Sequence, residues 1–412
     1  MRILMLGLNF WPEPTGIGKY SGEMVNFLQK AGHQVTVITA PPYYPYWQVQ
    51  PPYDRQKGLL YETWNGASVI RCPLYVPARV TGLKRIIHLL SFRMSAHSVT
   101  LKELKKQPDL VFAVQPTLFA AALANARTNG KRPHTWLHIQ DFELDAALNL
   151  GILKKIPFLE SAARKWEKHV YSQFDVLSTI SHAMADRLIE KKVPREKIHF
   201  FPNWIDTAQI FPLSGENQYR KELHIAANEI VLLYSGSIGQ KQGAEVLIEA
   251  FKLLPEEQHF HLVICGEGPG KAKLQGLSRG IANIHFLPVQ PVESLNELLN
   301  MADIHLLPQK VVATDLVMPP KLLGMLASGR PVIATCVKGS ELHNTVKDIG
   351  VSLPPEHAGE LAKAIVTLAS DKSIREELGN KGRSFVLMHF SKEKILGSIN
   401  DAFTELLSST PL

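Results

Sequence analysis

The sequence predicts an α/β chain of two tandem, doubly wound parallel-sheet domains, and three observations carry that prediction. At 412 residues the chain exceeds what one hydrophobic core usually serves, roughly 250–300 residues. Short β-branched runs alternate with helical patterns from the first residue onward, as in a parallel sheet covered by helices on both faces. The alternation breaks at the proline-containing stretch 201–213 and then restarts, so one sheet ends and a second begins.

In the first half, buried strands are expected at 2–6, 35–39, 110–113, 135–138, 176–180 and 199–201, with helices at 19–31, 117–129, 158–171 and 181–191. In the second half, strands are expected at 230–235, 261–265, 284–287, 304–307 and 332–334. Helices are expected there at 244–253, 270–277, 292–301, 320–327 and 360–369. The domains divide as 1–205 and 206–390, with a final helix inside 391–412 that crosses back to the first domain. Ligands collect at the carboxyl ends of such strands. Two sheets facing each other would frame a cleft, the expected active site.

Composition narrows the class. Charged residues make up 20% and hydrophobic residues 45%, ordinary globular values that argue against disorder or a fibre. Cys72, Cys265 and Cys336 lie far apart without metal-ligand spacing, so they read as thiols of a reducing compartment. The apolar start MRILMLGL is too short for a leader or a membrane span, and a cytoplasmic location is expected. The net charge of +7 suits anionic partners in general.

Glycine-rich turns supply the first chemical signal. Gly16 and Gly18 open the first helix after the first strand. They form either a plain turn or a ligand-facing one, because glycine lets amides approach an anion. Their distance from Gly7 does not match a dinucleotide fingerprint. In the second half, 235–243 and 266–271 each follow a strand and open a helix. The stretch 315–321 precedes a helix starting at Pro319-Pro320-Lys321. Such loops, with Lys241 and Lys321 as mobile cations, are what a nucleoside diphosphate needs.

Several residues carry two readings. His138 ends a strand at the site end and is either packed or functional. His259 and His261 read as solvated or packed rings. Tyr43, Tyr44, Tyr46 and Trp47 form either a packed loop or an acceptor platform. The stretch 83–93, followed by Lys102, Lys105 and Lys106, is either a core helix with a basic edge or a helix that lies on an anionic bilayer. Scattered basic residues without interleaved aromatics argue against nucleic acid.

The runs PEPTGIGKYSGEM, VTVITAPPYYPYWQV, LHIQDFELDA, FFPNWID, YSGSIGQKQG and PPKLLGMLASGRPVIA span nearly the whole chain. In their order the sequence resembles the retaining GT-B glycosyltransferases of family 4, and among them the colanic-acid-type exopolysaccharide enzymes. The resemblance implies that the second domain binds a nucleotide sugar. Ser237, Lys241, Gly266, Glu267 and Lys321 would then line the donor pocket, and Val289 would read the base. It implies that Asn203 and Asp206 order the interdomain linker. It also implies that Asp141, with His138 and Glu143, approaches the transferred sugar or the acceptor hydroxyl.

Two departures from the family pattern stand out. Of the family's two donor-loop glutamates, the first falls on Leu316, beside Val317, and the second on Gly324. Asp315 is the nearby carboxylate, with Glu245 and Glu267 as candidates for the ribose. The family's Arg–x4–Lys pair is replaced by Ser237 and by Gln242 beside Lys241. The class implied is a metal-independent hexosyltransferase using a UDP-sugar, best matched by glucose. Its expected acceptor is a polyprenyl-linked oligosaccharide at the inner face of the membrane. A sugar-nucleotide epimerase and a nucleotide-sugar-binding subunit without catalysis are the alternatives.

Overall fold

The computed structural model describes residues 1–14, 16–55, 57–79, 81–126, 132–145, 157–239, 242–311 and 318–408. The chain divides into two compact units, Met1–Pro202 with Leu396–Leu412, and Asn203–Ile395.

The first unit's sheet has eight strands among the described residues: β1 (Arg2–Gly7), β2 (Gln34–Thr39), β3 (Leu60–Trp64), β4 (Ala67–Arg71), β5 (Leu110–Gln115), β6 (His134–Ile139), β7 (Val176–Thr179) and β8 (Ile198–Phe200). They lie in the order β3-β4-β2-β1-β5-β6-β7-β8. Pairing is parallel except for the β3–β4 hairpin. Met5 is flanked by Val37 on one side and Phe112 on the other. All six residues of β5 are buried, as a strand covered on both faces requires. The chain leaves β1 toward β2 and later returns to β5 on the opposite side, which opens a crevice at the carboxyl ends of β1 and β5.

Helices α1 (Gly16–Lys30), α2 (Gly82–Leu104), α3 (Leu118–Ala121), α4 (Pro157–Ser172) and α5 (His182–Glu190) cover this sheet. Of the helix expected over 117–129, residues 127–129 lie outside the described residues. Its described α-helical part is α3, capped by the Thr117 hydroxyl, which accepts from Ala120 N–H, and a 3-10 turn over Ala122–Asn125 follows. The β3–β4 hairpin was not expected from its half-polar strands. It turns at Asn65-Gly66, both with positive φ (46° and 86°), the geometry favoured by two-residue hairpins.

The second unit orders its strands as β11-β10-β9-β12-β13-β14, all parallel. They are β9 (Ile230–Ser235), β10 (Phe260–Cys265), β11 (Ile284–Leu287), β12 (Ile304–Pro308), β13 (Val332–Thr335) and β14 (Val351–Leu353). The helices are α6 (Gln218–Glu222), α7 (Glu245–Phe251), α8 (Lys271–Leu277), α9 (Leu295–Asn300), α10 (Lys321–Ala327), α11 (Glu341–Val346), α12 (Ala358–Ser370) and α13 (Lys372–His389). Alternation along β9 divides the core in two. Val231 and Leu233 join one buried cluster, Leu232 and Tyr234 the other. The switch point lies between β9 and β12.

The final helix, α14 (Lys392–Ser408), begins in the second unit. There Lys392 Nζ donates to Asp206 Oδ2 at 2.9 Å, and Asp206 Oδ1 accepts from the Ala208 and Gln209 amides. Asp206, assigned above to ordering the linker, thus joins the start of the second unit to its end. From Leu396 onward the helix belongs to the first unit. Its fully buried Phe403 meets Phe112 and Trp136 edge-on, with ring centroids 5.5 and 5.1 Å away. Phe403→Ala removes that plug, and a loss of about 3–5 kcal/mol is expected. Denaturant unfolding followed by circular dichroism checks it.

Candidate active site

In the first unit, the loops after β1 and β2 are tied together by one buried carboxyl group. Glu13 Oε1 accepts from the Tyr43 and Tyr44 amides at 3.0 and 2.9 Å, and Glu13 Oε2 accepts from Asn9 Nδ2 at 2.9 Å. Burial raises the Glu13 pKa, against the opposing pull of those amides, Asn9 and Arg71. Arg71 is itself buried. It donates to the carbonyls of Ala40 and Trp11 and pairs with Glu62 at 2.6 Å. The glycines expected to face a ligand have other reasons to be glycine. Gly16 sits at φ +61°, and a Cβ on Gly18 would lie 2.6 Å from Glu13 Cβ.

On the other side of the crevice, Glu143 Oε2 accepts from the Leu118 amide at 2.7 Å. Its second oxygen is buried without a hydrogen-bond partner among the described residues. Burial pushes its pKa up to about 7, with a nearby Asp141 adding to the shift and the Leu118 and Thr117 amides opposing it. Asp141 is exposed just past β6. Arg85 of α2 bears electrostatically on both Glu143 and Tyr43.

Two expectations for this unit need correction. His138 packs into the core, where its Nδ1 shares the Ser178 hydroxyl with Trp136 and its ring lies against Phe112 and Phe201. Burial and His199 lower its pKa to about 3, so it stays neutral and faces no open surface. Tyr43 is likewise buried, edge-on to Trp47 and His88. Tyr44 remains exposed and is the part of the aromatic loop that a ligand can meet.

In the second unit, the loops after β9 and β10 are stitched backbone to backbone. Gly236 N–H donates to Cys265 O, Ile238 N–H to Glu267 O and Gly270 N–H to Ile238 O, at 2.8–2.9 Å. The approach is so close that a Cβ on Gly266 would lie 1.9 Å from Gly236 O, and one on Gly268 2.3 Å from Ile238 O. Both glycines have φ near +150°, which side chains rarely adopt.

Lys321, at the first turn of α10, reaches across this seam. Its Nζ stands 4.0 Å from the centroid of the Tyr234 ring. Its Cδ would lie 3.1 Å from a Cβ at position 236. The ammonium is buried with no hydrogen-bond partner among the described residues, and desolvation lowers its pKa to about 7. A cation–π contact offsets only part of the cost of burying an ammonium. Among the described residues nothing neutralises that charge, which an anion would do.

The other expected donor residues fall around this lysine at strand ends. Ser237 is exposed on the β9 loop, and Val289 is 66% exposed just past β11. Glu245 pairs with Lys273 at 2.9 Å and Lys310 at 3.9 Å. Burial raises its pKa, but these lysines and its own amide outweigh that and hold it low. The exposed Glu267 side chain pairs with Lys271. Lys241, Asp315, Leu316 and Val317 lie outside the described residues. Gly324 is buried, with its Cβ direction 3.3 Å from Leu299, so the second family glutamate has no counterpart pointing outward here. Lys310 was missed by sequence reasoning. It follows β12, across the switch point from β9, and fills the place of a side chain on Gly243. A lysine just after a strand flanking the switch point was the available signal.

Two doubly wound units in tandem, one carrying a desolvated lysine over interlocked glycine loops at its switch point, point to the class: a GT-B-type glycosyltransferase. Residues 15–204 match the glycosyl transferase 4-like domain model, and 215–385 match glycosyl transferases group 1. The chain is 41% identical over 377 residues to the colanic acid biosynthesis glycosyl transferase WcaI of Escherichia coli K12, covering 89% of this chain and 91% of that one. The protein belongs to the family 4 GT-B glycosyltransferases. Solved structures of the same fold include sucrose-phosphate synthase from Thermosynechococcus elongatus (TM-score 0.75, 18% identity, 99% of this chain and 100% of that one). Another is Anabaena HepE in complex with UDP-glucose (TM-score 0.63, 16% identity, 100% of both chains).

Gly266→Ala forces its Cβ onto Gly236 O and strains φ. A stability loss of about 1–3 kcal/mol is expected, together with weaker nucleotide binding. Gly276→Ala, inside α8 with open space around it, should be neutral or stabilising by up to about 1 kcal/mol. Paired thermal melts check the contrast.

Proposed function

We propose that the chain transfers a hexose, with retention and without a metal, from UDP-glucose to an oligosaccharide carried on a polyprenyl diphosphate. The product would be an exopolysaccharide or envelope-polysaccharide intermediate assembled at the inner face of the membrane. The observation that carries this reading is the buried Lys321 ammonium at the second unit's switch point, which has no hydrogen-bond partner among the described residues. The similarity to a colanic acid enzyme supports the polysaccharide context, and a fold neighbour solved with UDP-glucose supports the donor.

The chemistry follows from charge. Breaking the bond between the sugar's anomeric carbon and the diphosphate leaves negative charge on the β-phosphate and positive charge on the sugar. Lys321, protonated on binding, faces the first charge from a preformed, dry position, where such a contact is strongest. The acceptor hydroxyl adds to the same face of the anomeric carbon, and its proton passes to the departing phosphate oxygen. No strong base is needed. In this reading Glu143 and Asp141 of the first unit would hold the acceptor hydroxyl. With its pKa about 7, Glu143 holds a proton in part of the population at neutral pH and can donate or accept.

Calorimetric titration with UDP, GDP, UDP-glucose, UDP-galactose and GDP-fucose, in magnesium and in EDTA, tests the donor. The expected outcome is uridine-nucleotide binding that EDTA does not weaken and that Lys321→Ala abolishes. Absence of binding by every nucleotide would end the transferase reading. Binding followed by acceptor-free conversion of the sugar would favour an epimerase instead.

The titration also has a pH signature. Free Lys321 is protonated below its pKa of about 7 and an anion binds the protonated form. Affinity should therefore be full below pH 7 and fall by up to about tenfold per unit above it. Lys321→Arg, whose guanidinium stays charged over this range, should flatten that dependence.

A further inference from the structure

Helix α2 has apolar residues on two opposite faces. Leu89, Phe92, Ala96 and Val99 are buried in the first unit. On the solvent side, Leu83, Ile87, Leu90 and Met94 are 69%, 45%, 36% and 77% exposed. Their spacing of four, three and four places them on one stripe of the helix, roughly 16 Å long. Four large apolar side chains in one exposed row are not the scattered singles that any surface shows.

The exposed charges of α2 and of the residues at its C-terminal end are of one sign. Lys84 and Lys102 are exposed on α2, and Lys105 and Lys106 just past its end. Its one acid, Glu103, is buried and paired with Lys106 at 2.8 Å. Tyr75, 42% exposed, is fastened beside the first turns. Its amide donates to Ser91 Oγ, and its carbonyl meets His88 Nδ1. His88 in turn stacks edge-on against Tyr43, and Arg85 acts on Glu143. The stripe therefore begins beside the crevice that holds Glu143.

We propose that this face of α2 docks on an anionic lipid bilayer. Leu83, Ile87, Leu90 and Met94 enter the boundary between headgroups and acyl chains, while the lysines meet anionic headgroups. Tyr75 sits at headgroup level, where an aromatic with a polar tip is favoured. A second copy of the chain is the competing occupant for such a stripe. It would bring a second set of the same lysines to this surface, whereas an anionic surface is complementary to them. Among the described residues no helix is long and apolar enough to cross a membrane, so the contact is peripheral. This inference rests on the reading of the acceptor as lipid-linked. Docking along α2 would bring the mouth of the first unit's crevice to the membrane surface, where such an acceptor lies.

Co-sedimentation of the full chain with vesicles of phosphatidylcholine, with and without phosphatidylglycerol, tests it. Binding to the anionic vesicles is expected, weakened by salt. The combined Leu83→Gln, Ile87→Gln and Met94→Gln variant should lower partitioning at least about tenfold. The combined Lys84→Gln, Lys102→Gln and Lys105→Gln variant should remove the preference for anionic lipid. Uridine-nucleotide titration should be unchanged in both, which separates this proposal from the transferase reading. If the apolar variant fails to fold by circular dichroism, Met94→Gln alone should still lower partitioning by about threefold. No vesicle binding by the wild type, or equal binding by the variants, overturns the proposal. A wild-type dimer in light scattering that the apolar variant converts to monomer also overturns it, in favour of a second copy.

Discussion

The second unit depends on a close approach of two backbones. The loops after β9 and β10 meet so tightly that Gly266 and Gly268 can carry no side chain, and Gly236 leaves the space that the Lys321 stem occupies. Interlocked in this way, the loops fix where Tyr234 and Lys321 meet. They force an ammonium into a place where water no longer solvates it. A lysine whose one contact of note among the described residues is an aromatic ring is an unfavourable arrangement for the free protein. Such arrangements concentrate at functional sites, because the partner that relieves the cost is the ligand. On the proposed reading, the one cation delivered from α10 would stand in for the family's Arg–x4–Lys pair, since Ser237 has no charge to offer.

The first unit uses a different device. There the buried groups are carboxyls, and amides hold them. Glu13 binds the two aromatic-loop amides, and Glu143 binds the amide that starts α3. Glu13 has its oxygens taken up, so its work is to position the loop bearing Tyr44. Glu143 keeps one buried oxygen unpartnered among the described residues. That difference separates a positioning residue from one able to receive a hydroxyl, although burial raises the pKa of both.

Much of this was legible in the sequence, for a physical reason. Strands buried on both faces must be apolar throughout, so β1, β2, β5, β9 and β10 are visible as β-branched runs within a residue or two of their ends. The strands that escaped are the β3–β4 hairpin and β14, and of these β4 is mostly buried although its sequence ASVIR is half polar. β3 carries alternating polar residues at a sheet edge, and β14 is three half-buried residues. Within the sites, Lys321 could be placed because a proline-started helix follows a strand. Glu13 and Lys310 could not be assigned roles so directly. Their partners are distant in sequence, the amides of Tyr43 and Tyr44 for one and the Gly243 turn and Glu245 for the other. His138 misled because a residue at the carboxyl end of a strand can still point inward, and the Phe112–Phe201 pocket takes it.

The central claim is that Lys321 is an ammonium held out of water until a diphosphate arrives. Nuclear magnetic resonance of lysine labelled with carbon-13 at the ε position measures this directly, through the titration of that one residue. The account predicts a pKa about 7 in the free protein, rising by more than one unit when UDP is bound. An ordinary lysine value that UDP leaves unchanged would contradict it.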